Sequence, residues 1–369
     1  MVDYFFASSL KSSLEDIYHI GEPCSSGPLS VVHGAMNKHT KGSYVVKKIA
    51  KHNYLQGNDL SSAEEMARTI SRVRHANICP VTDIYEDREN VYVVMEQVAG
   101  GELFTRLADV ENYSEFHAAA IVRDVLKGVQ YLHGENIIHA NIKPENLLSQ
   151  NSGEFSPTVL ADFYMSSLMS HGVLMNGVCG NPSYVAPEIL RGFPPSRESD
   201  VWSIGVITYV LLSGLEPFPS PNHGDAGTYS NVVRCDYEFI KPFFNKVSKN
   251  AQDFISKLVT LVPEERLTVK EALQHPWVTG DAAKMEPMVG VGKRLSEMLL
   301  KKRETLAQKG SLQIGRVLAR YDTKTPLEEV ETPFDHPEEH EEEITTDKID
   351  FSDPEALAKA LNMSANDMS

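Results

Sequence analysis

The hydrophobic pattern of this chain changes partway along its length, and that change most limits what the chain can fold into. Early in the chain, residues 43–49 and 91–95 have the β-branched composition of strands, and residues 63–73 have helical spacing. Later, helical periods dominate, as in residues 116–133 and 251–259. This order predicts an α+β fold with a small β-rich lobe that carries one main helix and a larger helical lobe. A cleft between two such lobes is a natural ligand site.

The composition is that of a folded protein. Hydrophobic residues make up 41% and charged residues 23% of the 369 residues, which excludes a wholly disordered chain. The four cysteines form no CxxC pair and no metal-ligand spacing, a pattern typical of reduced thiols in a cytosolic protein. The longest nearly apolar run, residues 201–215, is too short to span a bilayer and predicts a buried core helix. Because residues 1–10 contain no basic region, we expect no signal peptide and a cytoplasmic localisation.

The charge is distributed unevenly and divides the chain into three parts. Residues 328–355 contain thirteen acidic residues and one base, so they carry −12 of the net charge of −16. Residues 292–320 contain eight bases and two acids, or +6. We therefore expect a globular body, a basic helical segment and an acidic tail. The net negative charge also makes nucleic acid an unsuitable partner for the protein as a whole.

Seven short motifs follow one another along the body. They are VVK at 45–47, GGELF at 100–104, HANIKPENLL at 139–148, DFY at 162–164, APE at 186–188, DVWSIG at 200–205, and Arg266 followed by HPW at 275–277. In this order the chain resembles a eukaryotic protein kinase over about residues 14–278. The resemblance implies the two-lobed protein-kinase fold, with an N-lobe at about 14–97 and a C-lobe at about 98–278. The GGELF and KPENLL segments are similar to the calcium/calmodulin-dependent kinase group.

The resemblance also implies a site for ATP with Mg²⁺ in the cleft. The residues expected to contact the nucleotide are Gly27, Val32, Val45, Lys47, Glu96, Val98, Glu102 and Leu148. The residues expected to bind the metal ion are Asn146 and Asp162. Lys47 matches the strand lysine that contacts the phosphates. Pro28 removes an N–H group near the tip of the glycine-rich loop, and Val45 is larger than the alanine most kinases have there. We therefore expect ATP binding to be weak or absent, although the retained residues leave it open.

The expected reaction centre departs from the kinase pattern. Asn141 replaces the aspartate that accepts the proton of the substrate hydroxyl, and loss of a general base typically costs about 10²–10⁴-fold in rate. Ala140 replaces an arginine and Tyr164 replaces a glycine, whereas Lys143 matches the phosphate-contacting lysine of the catalytic loop. An equal alternative is that this loop is a buried turn that only holds the large lobe together.

Two further positions concern ion pairs. In similar kinases the strand lysine pairs with a glutamate on the small-lobe helix, but the family spacing places Met66 there instead of Glu65. Whether Glu65 can substitute stays open. In the large lobe, by contrast, Glu188 has its expected partner in Arg266, and we expect this pair to be buried.

The motifs together predict a catalytically inactive kinase of the calmodulin-dependent type that acts as a regulatory or scaffolding protein on an active kinase or another signalling partner. The alternative is a weakly active Ser/Thr protein kinase that transfers the ATP γ-phosphate to protein hydroxyls. A third and narrower interpretation is a calcium-responsive adaptor that works through its basic helix.

The end of the chain carries the basic and acidic segments. The resemblance places a helical regulatory segment at 281–325, and we expect calmodulin to bind it through about 291–320, where basic residues accompany apolar anchors such as Leu295, Met298 and Leu299. The equal alternative is a surface helix that packs back on the large lobe. Residues 326–369 form the acidic tail, for which the composition predicts a largely disordered, solvated run.

Overall fold

A computed structural model describes residues 13–26, 30–50, 69–110, 113–164, 182–219, 224–302 and 304. The glycine-rich loop residue Gly27, the helix positions Glu65 and Met66, and the chain beyond residue 304 lie outside these ranges. Of the helix predicted at 63–73, residues 69–72 are described and are helical.

The small lobe is built on one antiparallel sheet of five strands in the order β1-β2-β3-β5-β4. Its elements are α1 (Leu14–Ile17), β1 (Tyr18–Ser26), β2 (Ser30–Asn37), β3 (Ser43–Ala50), β4 (Val81–Glu86) and β5 (Asn90–Glu96). The two strands expected from the β-branched runs at 43–49 and 91–95 are therefore confirmed as β3 and β5.

Alternation along β3 gives the sheet two different faces. Val46 is buried in a cluster with Leu14, Tyr18, Tyr85 and Val94, which packs α1 against the sheet. The next residue, Lys47, points to the opposite face because successive side chains of a strand alternate. Hydrophobic packing on one face of β3 therefore fixes the direction of a buried lysine on the other face.

The large lobe is helical, with one small hairpin. Its helices are α2 (Leu103–Leu107), α3 (Glu115–Gly134), α4 (Pro187–Leu190), α5 (Arg197–Ser213), α6 (Gly224–Arg234), α7 (Lys249–Leu258), α8 (Val269–Gln274) and α9 (Pro276–Thr279). Strands β6 (Leu147–Ser149) and β7 (Thr158–Leu160) pair antiparallel. Helices α3 and α7 confirm the predictions for 116–133 and 251–259, and the two lobes together confirm the α+β protein-kinase architecture.

Helix α5 is the centre of the large lobe. Every residue from Ser199 to Ser213 is buried, as expected for a helix that is apolar on all sides. Ser196 caps its first turn, and Gly214 ends it with a φ of 74°, a left-handed conformation that glycine adopts without strain. The buried hydroxyl of Thr208 donates to the Ile204 carbonyl one turn back, so it is not left unpaired. The predicted core helix in the 201–215 run is thus confirmed.

A buried ion pair joins α4 to the segment that follows α7. The Arg266 guanidinium donates to both oxygens of Glu188 at 2.7 and 2.8 Å, and its carbon atom lies 5.1 Å from the ring centre of Trp202 in α5. The Arg266 side chain is fully buried. The pair predicted from the sequence is therefore present, and it connects α4, α5 and the loop after α7.

Residues 291–302 are helical, and the start of this helix packs on the large lobe. Val291 and Leu295 are buried, and the Arg294 guanidinium lies 4.7 Å from the ring centre of Phe243. At Gly214 an added Cβ atom would come within 2.6 Å of the Arg294 Cβ, so the two segments are in close contact. Residues 291–296 therefore pack on the large lobe, which is the second of the two interpretations given for this segment. In the described ranges, no helix combines the length and the apolar character that crossing a membrane requires.

Replacing Glu188 with alanine should lower the free energy of unfolding by about 3–5 kcal/mol, because it leaves a buried guanidinium without its carboxylate. Urea denaturation followed by circular dichroism measures the change. The matched control is Lys257→Ala, which breaks an exposed i,i+4 pair with Asp253 and should cost about 0.5 kcal/mol or less. Equal losses in the two variants would contradict a stabilising role for the buried pair.

Candidate functional site

One carboxylate of helix α5 holds the loop that begins at His139. The backbone N–H of His139 donates to Asp200 Oδ2 at 2.9 Å, and that of Ala140 donates to Oδ1 at 2.8 Å. His133 Nε2, near the end of α3, lies 2.8 Å from Asp200 Oδ2. Asp200 is 1% exposed, so the whole arrangement is inside the large lobe. A hydrogen-bonded buried carboxylate therefore fixes where the loop starts.

The loop is held in an unusual backbone conformation. Ala140 has a φ of 56°, in the left-handed region that a side chain with a Cβ atom rarely adopts. The hydrogen bond from its N–H to Asp200 is one of the contacts that keep it there. Strained residues of this kind persist only where the surroundings impose them, and they concentrate at functional sites.

The His139 ring connects the loop to the end of β7. Its Nδ1 accepts the Asn141 N–H at 3.2 Å, so Nε2 carries the proton and donates to the Ala161 carbonyl at 3.0 Å. The ring is fully buried, and this burial holds the His139 pKa below its usual 6.5, although the Asp200 and Asp162 carboxylates act in the opposite direction. The ring is therefore a neutral structural bridge.

The two asparagines of the loop are joined to each other. Asn146 Nδ2 donates to the Asn141 carbonyl at 2.7 Å, and the Asn146 carbonyl accepts the Ala161 N–H at 2.9 Å. The short 3₁₀ turn Pro144–Asn146 leads directly into β6, whose first residue Leu147 pairs with Leu160 of β7, so Asn146 lies next to Ala161, the residue before Asp162. Asn141 and Lys143 line a small cavity together with Ala140, Ile142 and Tyr184.

Lys47 and Asp162 form an ion pair. On β3, Lys47 stands opposite Val32 of β2 and Val93 of β5, which places it in the middle of the sheet. Its Nζ lies 2.5 Å from Asp162 Oδ2, and the two side chains are only 10% and 13% exposed. The structure therefore brings together a lysine and a carboxylate that are 115 residues apart in sequence.

Tyr164 is the third member of this group. Its hydroxyl donates to Asp162 Oδ1 at 2.8 Å and lies 3.6 Å from the Met95 sulfur on β5. The side chain is fully buried, and Lys47 Nζ is 6.0 Å from the centre of its ring. The Asp162 carboxylate therefore accepts a hydrogen bond at each of its oxygens.

The electrostatics of Asp162 follow from these contacts. Burial opposes ionisation of the carboxyl group, but the Lys47 charge and the hydrogen bonds from Lys47 and Tyr164 outweigh it and hold the Asp162 pKa below its usual range. Lys143 adds a smaller attraction of the same sign. The aspartate is thus a carboxylate whose charge is already compensated within the protein.

The other residues that were expected to contact the nucleotide lie on the sheet of the small lobe or where this sheet meets the large lobe. Val45 stands opposite Met95 on β5, and Glu96 stands opposite Tyr44. Glu102, the N-cap of α2, forms a bridge with Leu148 of β6. Val98 is half-buried in the segment between β5 and α2. The structure thus joins Lys47 with Asp162, Asn141 with Asn146, and Glu102 with Leu148.

The implied Mg²⁺ has suitable donor atoms, but the Asp162 carboxylate already bonds to two other side chains. A carboxylate and an amide oxygen are the hard ligands that Mg²⁺ prefers. However, both oxygens of Asp162 are bonded to Lys47 and Tyr164.

Two contributions to this site were missed from the sequence. The sequence shows Tyr164 only as a replacement for glycine, yet its hydroxyl bonds to Asp162 two residues earlier. The sequence predicts His133 as part of a helix, and the structure adds its contact with Asp200. For both Tyr164 and His133, the sequence offers one indication of these contacts, which is a polar group close to a motif.

Comparison with known proteins gives the same family for most of the chain. The family described as "Protein kinase domain" matches residues 18–278. The chain is 37% identical over 331 residues to calcium/calmodulin-dependent protein kinase type IV of Rattus norvegicus, covering 89% of this chain and 68% of that protein. It is 38% identical over 289 residues to calcium/calmodulin-dependent protein kinase type 1 of Macrobrachium nipponense, covering 78% and 82%. Myosin light chain kinase A of Dictyostelium discoideum is 38% identical over 270 residues, covering 72% and 90%.

The His139 ring should remain neutral well below pH 6.5, because its burial lowers the pKa. The unfolded chain binds a proton near pH 6.5 that the folded chain does not, so the free energy of unfolding should fall as the pH drops below that value. For a ring that stays neutral, the change from pH 7 to 5.5 is about 1.3 kcal/mol. An NMR titration of the His139 ring protons tests this, and a midpoint at 6.5 or higher would contradict it.

Proposed function

The chain belongs to the protein kinase family, and from that membership we propose that it is a catalytically inactive protein of the calmodulin-dependent kinase type that acts as a regulatory or scaffolding protein. The observation that carries this proposal is Asn141, an amide at the position where a kinase needs a general base. An amide has no useful basicity at neutral pH, so the loop lacks the group that takes the hydroxyl proton.

The contrast between scaffold and reaction centre supports the proposal. The contacts of Asp200, His139 and the Glu188–Arg266 pair keep the large lobe in order. These contacts do not depend on the chemistry of the side chain at 141, since Asn141 is held through its backbone groups. A chain can therefore retain the kinase fold, and a surface for protein partners, without the proton acceptor.

A weakly active Ser/Thr protein kinase is the second candidate. It is favoured by the presence of Lys143 and Asn146 in the same loop and of the Lys47–Asp162 pair in the cleft. Phosphoryl transfer depends mainly on positioning and on charge stabilisation, so some transfer is physically feasible without a base. The relatives reported above are all named as protein kinases. We expect ATP to bind weakly in this cleft, because Val45 is larger than the alanine most kinases have there and Pro28 lacks an N–H group in the glycine-rich loop.

We also propose that the basic segment at 291–320 binds calmodulin. Two of the reported relatives are named as calcium/calmodulin-dependent kinases, and the segment is an apolar and basic helix at its start. Leu295 is fully buried against the large lobe, whereas Met298 and Leu299 are half-buried. Calmodulin would therefore have to displace Leu295 from its buried position on the large lobe, or bind the residues that follow it.

Phosphorylation of generic Ser/Thr peptides by the purified protein should be at least 10²-fold slower than by an active relative, a lower limit set by the loss of the base. A radiometric transfer assay measures it. Asn141→Asp should restore the transfer rate only partly, because the Tyr164 hydroxyl is still hydrogen-bonded to the Asp162 carboxylate. The double variant Asn141→Asp with Tyr164→Gly should be faster than either single variant.

In the same assay Lys47→Ala gives the background. A wild-type rate within about tenfold of an active relative would overturn the inactive assignment, since base loss alone exceeds that factor. A rate above the Lys47→Ala background but far below an active relative would select the weak-kinase alternative.

A peptide spanning residues 288–322 should bind calmodulin in the presence of calcium and not in its absence. The full chain should bind more weakly than the peptide, because Val291 and Leu295 are buried on the large lobe before binding. Isothermal titration calorimetry measures both affinities. The control peptide carries Met298→Asp, which places a charge on the apolar face. Absence of binding by the unmodified peptide would leave the helix as a packing element.

A further inference from the structure

We propose that the Tyr164 hydroxyl acts as an internal hydrogen-bond donor that keeps divalent cations away from Asp162, so that a nucleotide in this cleft binds without Mg²⁺. The inference deepens the proposed function and rests on it, because it takes the cleft to be a kinase site that has lost efficient transfer. It assigns to Tyr164 a role in selecting the ligand rather than in filling space.

Both carboxylate oxygens of Asp162 already accept a hydrogen bond from another side chain. Oδ1 accepts the Tyr164 hydroxyl at 2.8 Å, and Oδ2 accepts Lys47 Nζ at 2.5 Å. A carboxylate binds Mg²⁺ through an oxygen at about 2.0–2.1 Å and in near-ideal octahedral geometry. Each oxygen keeps a second lone pair, so a cation at Oδ1 would have to bind beside the Tyr164 hydroxyl and a cation at Oδ2 beside the Lys47 ammonium group. Both donors therefore compete with the water and ligand atoms that complete the coordination shell of the cation.

The position of Tyr164 makes its hydroxyl a durable donor. The side chain is fully buried, as is the neighbouring Phe163, whose ring centre is 5.8 Å away in an edge-to-face arrangement. The far end of the Tyr164 ring reaches β5, where the oxygen lies 3.6 Å from the Met95 sulfur. Turning the ring away from Asp162 would open a cavity the size of an aromatic side chain, which protein interiors do not tolerate without loss of stability.

The two lysines near Asp162 add to this effect for a cation without a nucleotide, but both match family positions, so Tyr164 is the feature that distinguishes this site. Lys47 compensates the Asp162 carboxylate at short range, and Lys143 adds a second positive charge nearby. A divalent cation at Asp162 would therefore lie beside one or two ammonium groups, in a site where both members of the ion pair are nearly buried. Repulsion between like charges is strongest in such surroundings because water screens them little. Mg²⁺ also gives up its water reluctantly.

The test uses the full chain and Mn²⁺ alone as the probe, with free Mn²⁺ measured by electron paramagnetic resonance. The wild-type protein should show no Mn²⁺ binding that depends on Asp162. Tyr164→Phe keeps the ring and removes only the hydroxyl, and it should bind Mn²⁺ at least about tenfold more tightly, the effect expected from loss of a hydrogen bond to a charged group. Adding Asp162→Asn to Tyr164→Phe should abolish that gain.

Tyr113→Phe is the matched control. Tyr113 is also a fully buried tyrosine, but its hydroxyl has no hydrogen-bond partner in the parts of the chain that the structure describes. The same loss of one hydroxyl there should leave Mn²⁺ binding as in the wild type. Equal Mn²⁺ affinity in wild type and Tyr164→Phe, whether strong or undetectable, overturns the proposal.

A second measurement uses thermal denaturation with ATP, in EDTA or with Mg²⁺. The wild-type protein should show the same measurable shift in both conditions, and Tyr164→Phe should show a larger shift with Mg²⁺ than with EDTA. No wild-type shift in either condition would overturn the binding of a nucleotide without Mg²⁺. A wild-type shift that requires Mg²⁺ and disappears in Asp162→Asn overturns the inference. These readouts follow ligand binding only, so they are independent of phosphate transfer: slow transfer with Asp162-dependent Mn²⁺ binding would reject the role of Tyr164 and leave the proposed function standing.

Discussion

The large lobe depends on one buried carboxylate. Asp200 of α5 accepts the backbone N–H groups of His139 and Ala140 and contacts His133, so it joins two helices to the loop that carries the site. Because Asp200 is buried, each of these donors would be left without a partner in a low-dielectric interior if the carboxylate were removed. The position of Asn141 and Asn146 follows from this attachment, since both lie a few residues further along the same loop.

The contacts of this scaffold and the chemistry of the reaction centre are separable. Asn141 is held by its N–H and its carbonyl, so the loop keeps its shape whatever the side chain at that position. At Asp162 the situation is different, because the side chain itself makes the contacts with Lys47 and Tyr164. The backbone contacts of the loop therefore do not involve the Asn141 side chain, whereas the Tyr164 side chain takes part directly in the contacts around Asp162.

Much of the fold could be predicted from the sequence, because strand and helix periods are local properties. Residues 43–49 and 116–133 fall in the expected elements, and the Glu188–Arg266 pair follows from the family motifs. The contact between Tyr164 and Asp162 could not be predicted, since it depends on where the fold places Lys47 of β3 and Met95 of β5 around the tyrosine ring. Leu295 shows a related limit: an apolar residue on a basic helix suits a partner groove and a core equally well.

Tyr164 also spans from the large-lobe segment after β7 to β5 of the small lobe. Rotation of one lobe against the other would pull the ring from Met95 and stretch the Lys47–Asp162 pair. The Tyr164–Met95 contact and the Lys47–Asp162 ion pair thus connect the two lobes. A rigid body loses little conformational freedom when a partner binds it, so more of the contact energy is available as affinity. Tyr164 would therefore lower the entropic cost for any partner that contacts both lobes at once.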